Sequence, residues 1–175
     1  MDTSIIKTEK VTTREGLKIG DEKAPIKIIE FINVRCPYSK KWFTDFDGLL
    51  TEQVKAGRLQ RIIKLLNKEK DSLQRGNIMH RYIDYYKPDV SLEMIRNMFA
   101  TQEEWGELSL NEVAGYAENI LNLSLPLENY SAIKQAIINE ATVANIQFIP
   151  TILIDNHIFD ESISQEQLFN YLQKS

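Results

Sequence analysis

A lone cysteine, Cys36, stands in the stretch RCPYSK, directly ahead of Pro37 and three positions before Ser39. The chemistry it offers is that of a thiol nucleophile. A proline tolerates the first position of a helix, where its missing N–H has no partner to lose and its φ suits the turn. The spacing therefore predicts a helix opening at Pro37 with Cys36 as its cap. In that place the sulfur faces the N–H groups of Tyr38 and Ser39 and the positive end of the helix dipole, which favour a thiolate. Arg35, Lys40 and Lys41 add positive potential, and Ser39 is placed to donate a hydroxyl hydrogen bond to the sulfur. The competing reading of a free cysteine is a small buried filler; a position that opens a helix, off its apolar face, favours the nucleophile.

Two further residues stand out. Glu30 lies inside KIIEFINV, where an apolar strand is expected. A buried carboxylate there suits proton transfer, whereas at a strand end it simply reaches solvent; periodicity leaves both open. Pro150 precedes the isoleucine-rich TILI, where it either starts a strand or occupies a tight cis turn.

The rest of the composition narrows the chemistry. With one cysteine in 175 residues, an intramolecular disulfide and every multi-cysteine metal site are excluded. His80 and His157 have no metal-ligand spacing to each other or to Cys36, so both read as ordinary structural or surface residues. A formal net charge of −4 argues against a nucleic-acid binder, and the run Lys64–Lys70 reads as a solvated surface. No apolar run has the length of a membrane span or the look of a signal peptide, so the cytoplasm is the expected location.

The elements that must position these residues are legible in order. Residues 11–19 alternate as a first strand. APIKIIEFINV (24–34) suits a central strand covered on both faces. Trp42, Phe43, Phe46, Leu49, Leu50 and Val54 recur at helical spacing up to Gly57, and RLQRIIKLL (58–66) reads as a strand parallel to the one before the helix. A helical stretch then runs from Ser72 to about Ala144. Ser72 caps a helix closed by Pro88, Ser91 caps the next, and further helical pieces lie around 110–121 and 129–144. Thr151–Asp155, a turn at Asp155–Asn156 and His157–Phe159 form a hairpin, and Ser164 caps a last helix with Leu168, Phe169 and Leu172 inward.

EFINVRCPYS (30–39) and FIPTILID (148–155), set in this element order, resemble the thioredoxin superfamily, specifically its DsbA-like branch, over about residues 11–173. The resemblance implies an α/β, thioredoxin-like fold in which residues 1–70 and 145–175 form the thioredoxin-like domain and 71–144 an inserted helical domain before the cis-proline loop. It also implies that Cys36 is the nucleophile, Glu30 the buried acid behind it, and Ile149–Pro150 the cis-proline loop whose backbone pairs with an extended substrate. Pro37 and Tyr38 correspond to the dipeptide that tunes the thiol.

Ser39 departs from the family pattern, since a dithiol enzyme carries its second cysteine there and uses it to release the mixed disulfide. The function expected is that of a thiol–disulfide oxidoreductase-like protein working through Cys36 alone, as a monothiol reductase or isomerase forming mixed disulfides. The alternatives are a redox-inactive DsbA-like adaptor, or a transferase or isomerase that uses a bound thiol of the glutathione type. The expected partner is a client protein or a small-molecule thiol or disulfide. Neither metal nor nucleic acid is expected, and no cofactor beyond a low-molecular-weight thiol such as glutathione.

Overall fold

Two strands rich in isoleucine and leucine occupy the middle of the sheet because both of their faces are covered. β2 (Ile26–Ile32) and β3 (Leu59–Leu65) run parallel, with Ile28 opposite Arg61 and Glu30 opposite Ile63. The structure, a computed structural model, describes residues 2–173. Between these strands runs α1 (Pro37–Lys55), which buries Trp42, Phe43, Phe46 and Leu50 and exposes its polar face. Gly57, at φ +70°, ends it: this left-handed turn returns the chain to β3 and suits a residue without a Cβ.

β1 (Leu17–Ile19) pairs antiparallel with β3, while β4 (Thr151–Ile154) pairs antiparallel with β2 and then with β5 (His157–Phe159). The five-stranded order is β1-β3-β2-β4-β5. β1 is shorter than the 11–19 expected, because the chain ahead of it is engaged elsewhere. Residues Thr8–Lys10 form a 3-10 turn, and the backbone of Thr12 meets Lys64 and Glu140. Lys64 is accordingly not part of a solvated surface. It is fully buried in β3, donates to the Thr12 carbonyl at 2.7 Å and pairs with Glu140. Burial holds its ammonium below the usual lysine range, with Glu140 pulling the other way.

Among the described residues, the chain between β3 and β4 is helical or irregular: α2 (Gln74–Met79), α3 (Pro88–Ala100), α4 (Gln102–Trp105), α5 (Leu110–Asn119) and α6 (Ser131–Val143). Its local punctuation differs from the expectation. Ser72 lies within a 3-10 turn and caps nothing, and Pro88 opens α3 instead of closing a helix, since the first helical position has no N–H bond to lose. Ser91 is therefore inside α3, buried, with its hydroxyl donating to the Asp84 carbonyl at 2.7 Å. α5 does start at a capping box, Ser109 with Glu112.

The helices pack on α1 and on one another through Phe99, Trp105, Ile95, Met98 and Val113, all buried, with the Phe43 and Phe99 rings 4.9 Å apart. α6 ends at Asn145, φ +58°, where the N–H of Ile146 reaches the Ala141 carbonyl and that of Asn145 reaches Thr142. That turn aims the chain into residues 147–150. α7 (Gln165–Gln173) follows β5, and Ser164 and Gln167 bond reciprocally at its start. Leu168 and Leu172 face inward, but Phe169, one residue round from Leu168, is exposed.

Candidate functional site

The thiol sits where β2 gives way to α1. Cys36 is the N-cap, in extended conformation, with Pro37 at the start of the helix. Its carbonyl accepts from the Lys40 N–H at 3.0 Å, and its own N–H donates to the Asn33 carbonyl at 3.0 Å. The side chain makes no capping bond. Instead the sulfur lies 3.5 Å from the carbonyl oxygen of Ile149, toward which a thiol S–H points. The expected approach to the Tyr38 and Ser39 N–H groups is thus replaced by a contact with a loop 113 positions away in sequence. The Ile149–Pro150 bond is cis, Pro150 is buried, and the loop meets Cys36 through the Ile149 carbonyl.

Ser39 is brought close to the thiol in sequence and in space, but with a different partner. It is fully buried and its hydroxyl oxygen accepts the N–H of Asn33 at 3.3 Å. A buried backbone donator needs an acceptor, and Ser39 supplies it; the sulfur is not its partner. The cations expected to surround the thiol are also engaged. Arg35 pairs with Glu107 and donates to the Gly106 carbonyl at 2.7 Å, Lys40 lies 3.4 Å from Glu103, and Lys41 pairs with Asp45. Cys36 itself is only 5% exposed, whereas Tyr38 and Phe148 are 59% and 47% exposed, so the rim of the site is aromatic and open while the sulfur is recessed.

Glu30 is fully buried, which decides against the strand-end reading. It is not alone. Arg61 grips it in a fork, Nε to Oε2 at 2.9 Å and Nη2 to Oε1 at 3.0 Å, and the Trp42 indole donates to Oε1 at 2.9 Å. Arg61 continues to Asp47 at 2.6 Å, and Asp47 to Arg96 of α3 at 2.8 Å. Burial works against the charge of Arg61, but Glu30 and Asp47 outweigh it and raise its pKa. For Asp47 burial pulls upward, and Arg96 and Arg61 prevail, leaving its carboxyl below the usual range. The buried acid is therefore one end of a chain of ion pairs that ties β2, β3 and α1 to α3. Arg61 was missed in the sequence. Its signal is slight: a charge within RLQRIIKLL, which reads only as a strand parallel to the covered one.

The backbone of residues 33–36 is held by groups the sequence did not single out. The Asn33 amide donates to the Leu66 carbonyl and to Asn77, both at 3.1 Å, and its oxygen accepts the Arg35 N–H at 2.9 Å. His80, read as ordinary, is fully buried with Nε2 accepting the Val34 N–H at 3.3 Å and Nδ1 at 2.7 Å from the Asn67 side-chain oxygen. Burial, assisted by the charge of Lys134, pushes its imidazole down to about 3, so it is a neutral ring. Gln102 donates to the carbonyls of Val34 at 2.7 Å and Cys36 at 3.4 Å. His157 lies far from this, stacked among Phe159 and Tyr171. Nothing in INVRC or MHRY signals the bonds of His80 and Gln102 to Val34, which join residues 46 and 68 positions apart. Among the described residues no group of three His, Cys, Asp or Glu converges on a metal position, and no helix is long and apolar enough to cross a membrane.

The sequence profile of a family described as thioredoxin matches residues 12–174. Comparison with curated proteins gives no match. Among solved structures, the chain is similar to a conserved protein of unknown function from Enterococcus faecalis V583, at 53% identity and a TM-score of 0.96, covering 99% of this chain and 98% of that one. It also shares its fold with the catalytic domain of Proteus mirabilis ScsC (21% identity, TM-score 0.68, 92% and 88% covered). A protein-disulfide isomerase from Novosphingobium aromaticivorans has the same fold (12% identity, TM-score 0.68, 91% and 99% covered).

Proposed function

This chain belongs to the thioredoxin family, and from that premise we propose that it is a thiol–disulfide oxidoreductase working through Cys36 alone, as a monothiol reductase or isomerase. The observation that carries this reading is the meeting of a helix-opening cysteine with the Ile149–Pro150 loop, sulfur to carbonyl 3.5 Å. The Cys36 thiolate attacks one sulfur of a client disulfide. The client S–S bond breaks, a Cys36–client S–S bond forms, and the departing client thiolate takes up a proton. Ser39 carries no thiol, so a second thiol, from the client or from a low-molecular-weight thiol such as glutathione, attacks the mixed disulfide and returns Cys36 as thiolate. An internal attack reshuffles the client's disulfide; an external thiol is left bonded to the client, and a second such thiol displaces it as the small-molecule disulfide, leaving the client reduced. A reducing compartment such as the cytoplasm supplies that external thiol.

In this reading Pro37 and Tyr38 shape the approach, and the backbone of Ile149 next to Pro150 aligns an extended client against the sulfur. Glu30 is assigned the place of the buried acid behind Cys36 that manages protons, with Arg61 and Trp42 fixing its carboxyl there.

The test is capture of an unfolded, disulfide-bearing peptide by wild type and Cys36→Ala, read by mass. A covalent adduct on wild type, absent in Cys36→Ala and cleared by added glutathione, is the expected result. The 5% exposure of Cys36 favours a second reading, a peptide-binding adaptor. Equal, non-covalent binding of the peptide by both proteins would establish that one instead.

A further inference from the structure

The inserted helices do more than cover one face of the fold. They reach into the turn that carries the thiol, at residues the family resemblance leaves unassigned. Val34 is held by both of its backbone polar groups: its N–H by His80 at 3.3 Å and its carbonyl by Gln102 at 2.7 Å. Gln102 spans on to the Cys36 carbonyl at 3.4 Å. His80 has no exposed surface and Gln102 4%. Because Nε2 of His80 accepts from Val34, its hydrogen sits on Nδ1 and is donated to Asn67, whose side chain fixes the plane of the ring.

The clamps are themselves braced. Gln102 belongs to the short α4, held by the buried Trp105, whose indole donates to the Met98 carbonyl at 3.0 Å. The next residue, Gly106, approaches so closely that an added Cβ would lie 2.5 Å from the Gln102 carbonyl and 2.8 Å from Arg35 Nε. On the other side, a Cβ on Gly76 would fall 2.0 Å from the Asn33 side-chain oxygen. The turn cannot slide without stranding buried donors or acceptors.

We propose that His80 and Gln102 are positioning residues: the helical insertion, clamping Val34 from both sides, sets where the Cys36 sulfur stands relative to the Ile149–Pro150 loop. This rests on the reading of Cys36 as a nucleophile toward client disulfides. A displacement of about 1 Å at a reacting atom is enough to slow an aligned reaction roughly a hundredfold, whereas a small, unaligned reagent needs only access.

The experiment compares two rates at Cys36 in wild type, His80→Leu, His80→Gln and Gln102→Leu. One is mixed-disulfide formation with an extended disulfide-bearing peptide; the other is alkylation by iodoacetamide. His80→Leu and Gln102→Leu should slow the peptide reaction by about tenfold or more while alkylation holds or quickens. His80→Gln, whose amide oxygen can still accept from Val34, should recover most of the peptide rate. Should His80→Leu fail to fold, Gln102→Leu carries the same comparison. Amide hydrogen exchange at Val34 and Cys36 is read alongside and should quicken about tenfold in the leucine variants, with β2 unchanged. Wild-type peptide rates together with wild-type protection at Val34 would overturn the proposal, as would equal losses in His80→Gln and His80→Leu. If wild type itself forms no mixed disulfide, the redox reading fails; positioning then stands or falls on whether protection at Val34 and Cys36 is lost in the leucine variants.

Discussion

Residues 33–36 and residues 147–150 approach the same sulfur from opposite sides, yet they are held in different ways. On the first side Asn33, Val34 and Cys36 are buried, and their polar groups meet Ser39, Leu66, Asn77, His80 and Gln102. Behind them lies the ion chain Glu30–Arg61–Asp47. On the second side Gln147 and Phe148 are exposed, and the bonds are peripheral: Lys68 to the Gln147 carbonyl at 3.1 Å and the Thr151 hydroxyl to the Phe148 carbonyl at 2.6 Å. A nucleophile has to be held to a fraction of an ångström, while the surface that receives varied partners has to present contact area without a fixed fit. Stability should therefore reside on the first side and partner contact on the second.

The largest break in that division is expected from acid. His80 is pushed down to about 3 in the fold from 6.5 when unfolded, by burial first and Lys134 second. A histidine kept neutral by folding contributes stability that is fully present above the unfolded value and is lost as pH falls from about 6.5 toward 3. The loss over that window is on the order of 5 kcal/mol. Urea unfolding at stepped pH should show it, and His80→Gln should flatten the profile; an identical slope in the variant would remove His80 from the account. Asp47 adds its own loss at lower pH, since its depressed carboxyl stabilises the fold above the unfolded value near 3.8 and ceases to as pH drops through the folded one.

Next in size, Arg61→Met leaves Glu30 buried without its cation and should destabilise by about 3–5 kcal/mol. Glu30→Leu combined with Arg61→Met should recover much of that, because a well-packed apolar pair is often as stable as a buried ion pair. No recovery in the double variant would mean the charges themselves organise the fold. Gly76→Ala drives a Cβ into Asn33 and should cost about 2–3 kcal/mol in urea by stranding buried polar groups. The smallest effect on stability belongs to the rim. Phe148→Ser and Tyr38→Ser should stay within about 0.5 kcal/mol of wild type yet slow peptide capture several-fold. A large stability loss from either would erase the contrast between the two sides.

The parts of this architecture legible in the sequence are those encoded by neighbours. Ile26–Ile32 announces a covered strand, Leu59–Leu65 a strand parallel to it, Cys36–Pro37 a helix start and Asp155–Asn156 a hairpin turn, while the capping box at Ser109–Glu112 opens a helix that the helical spacing locates only approximately. Where two neighbouring signals competed, the local rule was insufficient: Pro88 serves a helix start as well as it serves a stop, and which one depends on the packing of Ser91 under Asp84. Lys64 illustrates the opposite failure, since a run of lysines reads as surface until Glu140, 76 residues on, is seen to cover it.

The sequence by itself determined the order of elements, the single thiol at a helix cap and the absence of a second thiol at Ser39, because each depends on residue type and short-range spacing. Only the tertiary structure decided where the sulfur points, that Glu30 is paired with Arg61, and that His80 and Gln102 hold Val34. Those facts rest on contacts between residues 31 to 113 positions apart, and buried polar groups choose such partners by geometry, not by proximity in the chain.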